Sequence, residues 1–153
     1  MMESRADRAE ALFKQGYNCA QSVVLAFSDL TGLDEDKAAV ISMPFGAGLS
    51  RLREVCGAVS GMSMVLGLLY APKDPNDHPA KAAHYALTQK AALMFQEKNG
   101  AYICRTLLSL GTEGADDPTP EKRTASYYKK RPCSEYVRDC AQIVQDIIDS
   151  MEN

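Results

Sequence analysis

Val55-Cys56-Gly57-Ala58-Val59-Ser60-Gly61-Met62-Ser63-Met64-Val65-Leu66-Gly67-Leu68-Leu69-Tyr70-Ala71 is the most apolar stretch of the chain, and its reading decides the fold. Its length is near the lower limit for a membrane span, which needs about 20 apolar residues. Three glycines and two serines interrupt it. A buried central helix of a globular protein accounts for it better. Downstream, Pro72 and Pro75 end this helix, and Asp77 with Pro79 opens a long one reaching about Lys98, stopped by Asn99-Gly100. A sixth helix carries Cys104, Leu107, Leu108 and Leu110. The Gly-, Asp- and Pro-rich residues 111–120 read as a loop, as does the basic cluster Lys129-Lys130-Arg131. Pro132 precedes a last helix over 133–151, with Val137, Cys140, Ala141, Val144, Ile147 and Ile148 on its inner face.

Upstream, the spacing of Ala9, Leu12 and Phe13 predicts a helix over 4–15 that Gly16 ends. Asn18 caps a second over 19–30, whose apolar face holds Val23, Val24 and Phe27. Asp34 caps a short third through Ala38, Ala39, Val40 and Ile41, ending near Pro44. A glycine-containing loop, Phe45-Gly46-Ala47-Gly48, leads into the apolar helix. No stretch shows strand-like alternation. The expectation is an all-α chain, one domain over 1–153, folded as a single compact bundle of about six or seven helices around the helix at 55–71.

The chain has 153 residues, 46% hydrophobic and 24% charged, with a formal net charge of -3. That charge argues against nucleic-acid binding, which needs a basic face to neutralise phosphates. Residues 1–10 are charged and lack the apolar core of a secretory signal, so the expected location is cytoplasmic and the chain is not expected to span a membrane.

Five cysteines in such a chain need an explanation. A reducing compartment and an odd count both argue against a structural disulfide framework. Position is informative. Cys19 follows the Gly16-Tyr17-Asn18 break, Cys56 the Gly46-Ala47-Gly48 loop, Cys104 the Asn99-Gly100 break, and Cys133 follows Pro132. Each therefore falls near the first turn of an expected helix, where unpaired N–H groups and the helix dipole favour an anion. For a thiol that anion is the thiolate, both nucleophile and metal ligand. No C-x-x-C is present. Cys133 and Cys140 are two turns apart on one helix, about 10 Å by helix rise, too far for a disulfide or a shared ion. Cys140 reads as a core thiol.

Gly57 and Gly61 are one helical turn apart beside Cys56. Each costs a helix about 1 kcal/mol relative to alanine, so something must require them. Close helix packing is one requirement; room for a cofactor or a partner thiol is the other.

The run Cys56-Gly57-Ala58-Val59-Ser60-Gly61, with one cysteine upstream and single ones downstream, resembles a family of redox-active proteins labelled by a C, GCAxxG, C, C pattern. Cys19 matches the first cysteine, Cys104 the third and Cys133, before Glu135-Tyr136-Val137, the fourth; Cys140 is outside the pattern. The central element here reads CGAxxG, with Cys56 before Gly57 rather than after a glycine. The resemblance extends over about residues 16–148. It implies a bacterial or archaeal redox protein often encoded near transporter genes. Related domains fused to multihaem split-Soret cytochromes point to an iron–sulfur site. It brings no established substrate or reaction.

Other candidates have plainer readings. His78 and His84, six apart, point to different faces of a helix and read as surface or satisfied side chains. Met62 and Met64 fill core. Tyr17 and Tyr102 either shield sulfurs or pack, and Arg51 and Arg53 either stabilise a thiolate or flank a helix at the surface. Ser22, Ser60 and Ser63 lack a base partner, so serine hydrolysis is not supported. The leading function is redox chemistry through Cys19, Cys56, Cys104 and Cys133. Two mechanisms fit: ligation of an iron–sulfur cluster for electron transfer, or thiol–disulfide exchange with a redox partner protein. Four ligands from four helices suit a cluster better than a dithiol, with Gly57 and Gly61 beside it. The alternative is a non-catalytic interaction module in which the same four cysteines hold a structural zinc, serving a transporter component. A fold with no cofactor and inert thiols is the third reading, and assembly as a homo-oligomer is compatible with each.

Overall fold

Side-chain caps open most of the helices. The computed structural model describes residues 3–110 and 116–152, with the backbone alone at Lys129 and Lys130. Ser4 accepts the Asp7 N–H and starts α1 (Arg5–Lys14). Asn18 and Gln21 form a reciprocal capping box at the head of α2 (Cys19–Leu25). A short α3 (Ser28–Thr31) ends at Gly32, and Asp34 caps α4 (Glu35–Ser42). A 3-10 turn, Met43–Phe45, follows. Then come α5 (Gly57–Tyr70), α6 (His78–Asn99) with caps Asp77 and Gly100, and α7 (Cys104–Leu107). Thr124 caps α8 (Ala125–Lys130), and α9 (Cys133–Glu152) completes the chain. Among the described residues there is no strand, only an antiparallel bridge between Val55 and Ile103.

The all-α expectation agrees with this, with local differences. The helix expected over 19–30 breaks at Phe27, where a 27→24 hydrogen bond replaces the i→i−4 register still kept by the Ala26 N–H to Ser22 O, and the Phe27 ring is fully buried. The apolar helix begins at Gly57 because Val55 pairs with Ile103 and Cys56 serves as the N-cap. The sixth expected helix is a single turn: Ser109 turns left-handed (φ 54°) and stops it. Lys129 and Lys130 lie in α8, not in a loop, because Thr124 supplies a cap that the basic run concealed. Of the loop expected over 111–120, residues 111–115 lie outside the described residues.

α1 lies along α9, and α2 along α5; α9 also packs on α2 and α5. Their shared core holds Phe13, Val23, Val24, Met62, Val65, Leu66, Val137 and Val144, all essentially inaccessible. Burying each of these side chains contributes about 1.5–3 kcal/mol. The long α6 buries only Ala91 and Phe95 fully. It is pinned to α9 by Asp139, whose carboxylate accepts from Lys98 Nζ (2.5 Å) and Asn99 Nδ2 (3.3 Å). His84 on the same helix departs from expectation: its Nδ1 is buried without a hydrogen-bond partner. No described helix is long and apolar enough to cross a membrane.

Candidate functional site

The N-terminal ends of α2, α5, α7 and α9 meet at a cavity of about 580 Å³. Cys19 is the first residue of α2, Cys56 the cap of α5, Cys104 the first residue of α7 and Cys133 the first of α9. All four line the cavity. Cys19 and Cys133 are partly accessible, Cys56 and Cys104 are buried, and all five cysteines carry free thiols. Cys140 lies in the core, inaccessible and away from the cavity lining.

Local backbone explains this convergence. The capping box fixes the direction of α2 at Cys19, and Asn18 Nδ2 donates to Met43 O (2.9 Å), tying α2 to the 3-10 turn. The segments before α5 and α7 are laced together. The Cys56 N–H donates to Tyr102 O (2.8 Å), the Cys104 N–H to Glu54 O (2.6 Å) and the Arg105 N–H to Arg53 O (3.1 Å). Two cysteines 48 positions apart in sequence thereby become neighbours.

The segment that leads into Cys56 is built from left-handed backbone. Ala47, Gly48, Leu49, Ser50 and Arg51 have φ of 56°, 67°, 69°, 50° and 72°, and Arg53 has 62°. Only one of these is a glycine, and each other residue pays about 1–2 kcal/mol for that hand. Hydrogen bonds from Ser50 N to Gly46 O, Glu54 N to Gly48 O and Ser50 Oγ to Pro44 O hold the turn. The turn sets Gly48 against α7: a Cβ there would stand 2.7 Å from the Cys104 Cβ.

The two glycines of the motif divide the two requirements between them. A Cβ on Gly57 would overlap the Cys19 sulfur and stand 2.9 Å from Phe45 O, so this glycine makes room for a thiol. A Cβ on Gly61 would stand 2.6 Å from Ala20 O, so this one allows α2 and α5 to pack closely. Gly57 lines the cavity, whereas Gly61 does not.

Among the described residues, four arginines, Arg51, Arg53, Arg123 and Arg131, line the cavity with a single carboxylate, Glu121. Three of them hold residues 116–123 as a strap across its mouth. Arg51 Nε donates to Asp117 O (2.5 Å), Arg53 Nε to Asp116 Oδ2 (2.9 Å) and Arg131 Nη2 to Glu121 Oε1 (2.8 Å). Arg123, itself on the strap, donates to Phe13 O and Tyr17 O and lies over the Phe13 ring, 4.1 Å from its centroid. Arg53 also reaches a sulfur, with Nη1 3.8 Å from Cys104 Sγ.

The expectation of ready thiolates is corrected by burial. Desolvation pushes the Cys19 thiol up, against the Ala47 N–H, which lowers it. It pushes Cys56 well up, aided by the Cys19 charge and opposed by the Val59 and Ala58 N–H groups. Cys133 is pushed up to about 12, chiefly by burial and then by Cys19 and Cys104. α2 is short, and its dipole does not outweigh the loss of water at Cys19.

A pH dependence follows. Between the ordinary thiol value of 9.0 and about 12, the folded chain holds a proton on Cys133 that the unfolded chain has released. The stability from this group is complete below about pH 9 and is lost as pH rises toward 12. In metal-free protein, denaturant midpoints measured from pH 8 to 11 are expected to fall more steeply in wild type than in Cys133→Ser. Parallel curves would contradict the assignment.

Among the described residues, no three His, Cys, Asp or Glu side chains are grouped to hold a single metal ion. Tyr17 and Tyr102 pack against the core and do not line the cavity; the aromatic residues there are Phe13, Tyr127 and Tyr136. Sequence reasoning missed those two tyrosines, together with Asp116, Arg123 and Arg131. The one available signal was the density of arginine and tyrosine over 123–138, which has no chemical spacing of its own.

A model of the family described as "Putative redox-active protein (C_GCAxxG_C_C)" matches residues 17–147. Neither a curated protein nor a solved structure matches the chain.

Proposed function

Because the chain belongs to the C_GCAxxG_C_C family of redox-active proteins, we propose that it transfers electrons through an iron–sulfur cluster held by Cys19, Cys56, Cys104 and Cys133. The observation that carries this reading is the cavity itself, where four cysteines from four helix starts face four arginines and one carboxylate. The residues present fit the group: thiolates are the usual ligands of such clusters, and the excess positive charge suits a site holding several of them. In a four-iron cluster each cysteine would bind a different iron, so the sulfurs need not crowd around one point, as a single zinc about 2.3 Å from each would require.

When bound, the cluster supplies one-electron exchange. The chain does the rest. Gly57 leaves space for the Cys19 sulfur, and the laced segments at 53–56 and 102–105 hold Cys56 beside Cys104. The strap over 116–123, with Tyr127 and Tyr136, lines the site and leaves Cys19 and Cys133 only partly accessible. Buried, protonated thiols are poor nucleophiles, which weakens the disulfide-exchange reading. The electrons come from and go to a redox partner protein.

Anaerobic purification with iron, sulfide and zinc analysis tests this on wild type and single Cys→Ser variants. Brown protein with iron and acid-labile sulfide is expected, lost in Cys56→Ser and kept in Cys140→Ser. Colourless protein with one zinc would establish a structural site instead. Metal-free protein whose thiol count falls on mild oxidation would establish exchange. Equal losses in Cys56→Ser and Cys140→Ser would overturn the assignment of ligands.

A further inference from the structure

Arg53 is an unusual residue in three respects at once. Its side chain is 6% exposed, although arginine is rarely buried without cause. Its backbone is left-handed, which costs a non-glycine residue stability. Its guanidinium bridges a carboxylate and a cysteine sulfur, Asp116 Oδ2 at 2.9 Å and Cys104 Sγ at 3.8 Å. The backbone fixes it further: its N–H donates to Ala47 O (3.3 Å) and its carbonyl accepts from the Arg105 N–H (3.1 Å). The other cavity arginines are engaged elsewhere, Arg51 on Asp117 O, Arg123 on Phe13 O and Tyr17 O, and Arg131 on Glu121.

From this geometry we infer that Arg53 is a positioning residue that sets the electron affinity of the site through the Cys104 sulfur, with Asp116 as its counterweight. The inference rests on the electron-transfer reading and deepens it. In each turnover one electron arrives from a reduced partner and one leaves to an oxidised partner, with no bond made or broken. The charge at the site therefore changes by one unit beside a fixed cation. A charged donor on a ligand sulfur draws off electron density and favours the reduced, more negative state. Low solvent access lets the guanidinium act at closer to full strength than it would at the surface. Asp116, half-exposed at the cavity mouth, offsets part of that charge. Its carboxyl is held below the usual range by the Arg53 hydrogen bond, so the counterweight is in place at neutral pH.

The signs are opposite for the two partners, which separates charge tuning from mere support. In iron-loaded protein, Arg53→Met is expected to weaken electron affinity about tenfold, a potential lower by about 59 mV for one electron. Asp116→Asn is expected to strengthen it severalfold, and Arg53→Lys to stay close to wild type. A second readout needs no iron: alkylation of each cysteine in metal-free protein, followed by mass spectrometry at fixed pH. Cys104 should react several times more slowly in Arg53→Met and faster in Asp116→Asn, with Cys133 as the internal reference. Equal potentials across the series overturn the inference. So does faster alkylation of Cys104 in Arg53→Met, which would mark Arg53 as a cover only. If Arg53→Met fails to fold, Arg53→Lys and Asp116→Asn still decide the sign. Absence of iron from wild type would overturn the electron-transfer reading, whereas a flat alkylation series would overturn the Arg53 role, so the two failures appear in different samples.

Discussion

Gly57→Ala is expected to abolish iron binding and destabilise the fold, while Gly67→Ala, ten residues along the same helix, should stabilise it. Alanine at an unobstructed helix position lowers the conformational entropy of the unfolded chain and improves helix propensity, together worth about 0.4–1 kcal/mol. Gly67 meets that condition, since nothing lies within 4 Å of a Cβ there. At Gly57 the same methyl group would overlap the Cys19 sulfur and press on Phe45 O and the Gly46 Cα. Neither backbone neighbour is the free end of a flexible side chain, so overpacking should cost about 1–3 kcal/mol. Relief can come only by moving Cys19 out of the cavity. Gly61→Ala makes a third case: it clashes with Ala20 O and should cost a similar amount, yet leave the four cysteines in place. Denaturant midpoints and iron-to-protein ratios measure all three. Wild-type iron content in Gly57→Ala would show that the Cys19 sulfur does not depend on this glycine.

The second large effect is at Arg123. Arg123→Ala removes two hydrogen bonds from the guanidinium to main-chain carbonyls of Phe13 and Tyr17, and its stacking over the Phe13 ring. Charged hydrogen bonds contribute about 1.5–3 kcal/mol and a partly desolvated cation–π contact about 1–2. The global loss should be smaller than that sum, because the Phe13 ring stays buried among α1, α2 and α9. The local loss should be larger. Without Arg123, residues 116–123 keep, among the described residues, the clasps to Arg51, Arg53 and Arg131. Limited proteolysis should then cut this segment first, and alkylation of Cys19 and Cys133 in metal-free protein should speed up at least tenfold. A strap still protected in Arg123→Ala would mean that the other three clasps suffice.

Much of the scaffold was legible because its signals are local. Asn18, Asp34 and Asp77 announced their helices as caps, and the apolar run of α5 needed only its composition and length. The positions of Cys19, Cys56, Cys104 and Cys133 at helix starts followed from the same signals. Three things did not. The left-handed turn at 47–51 has one glycine in five residues, so no propensity marks it; tertiary hydrogen bonds impose it against local preference. The ionisation of the thiols depends on how much water the fold removes, and helix position alone gave the wrong sign. The strap is joined to Arg51 and Arg53 over separations of more than sixty residues, which no spacing reveals.

The reversed hand over residues 47–51 also separates the helical register of α4 from that of α5. A helix grows because each residue inherits the hydrogen-bond register of the one before it, and that inheritance stops where the chain winds the other way. The register of α4 is therefore not passed on to α5, which takes its first turn from the Cys56 cap and the Val55–Ile103 bridge. The cysteine cavity is built along this seam, and Gly46, Ala47, Ser50 and Arg51 form part of its wall.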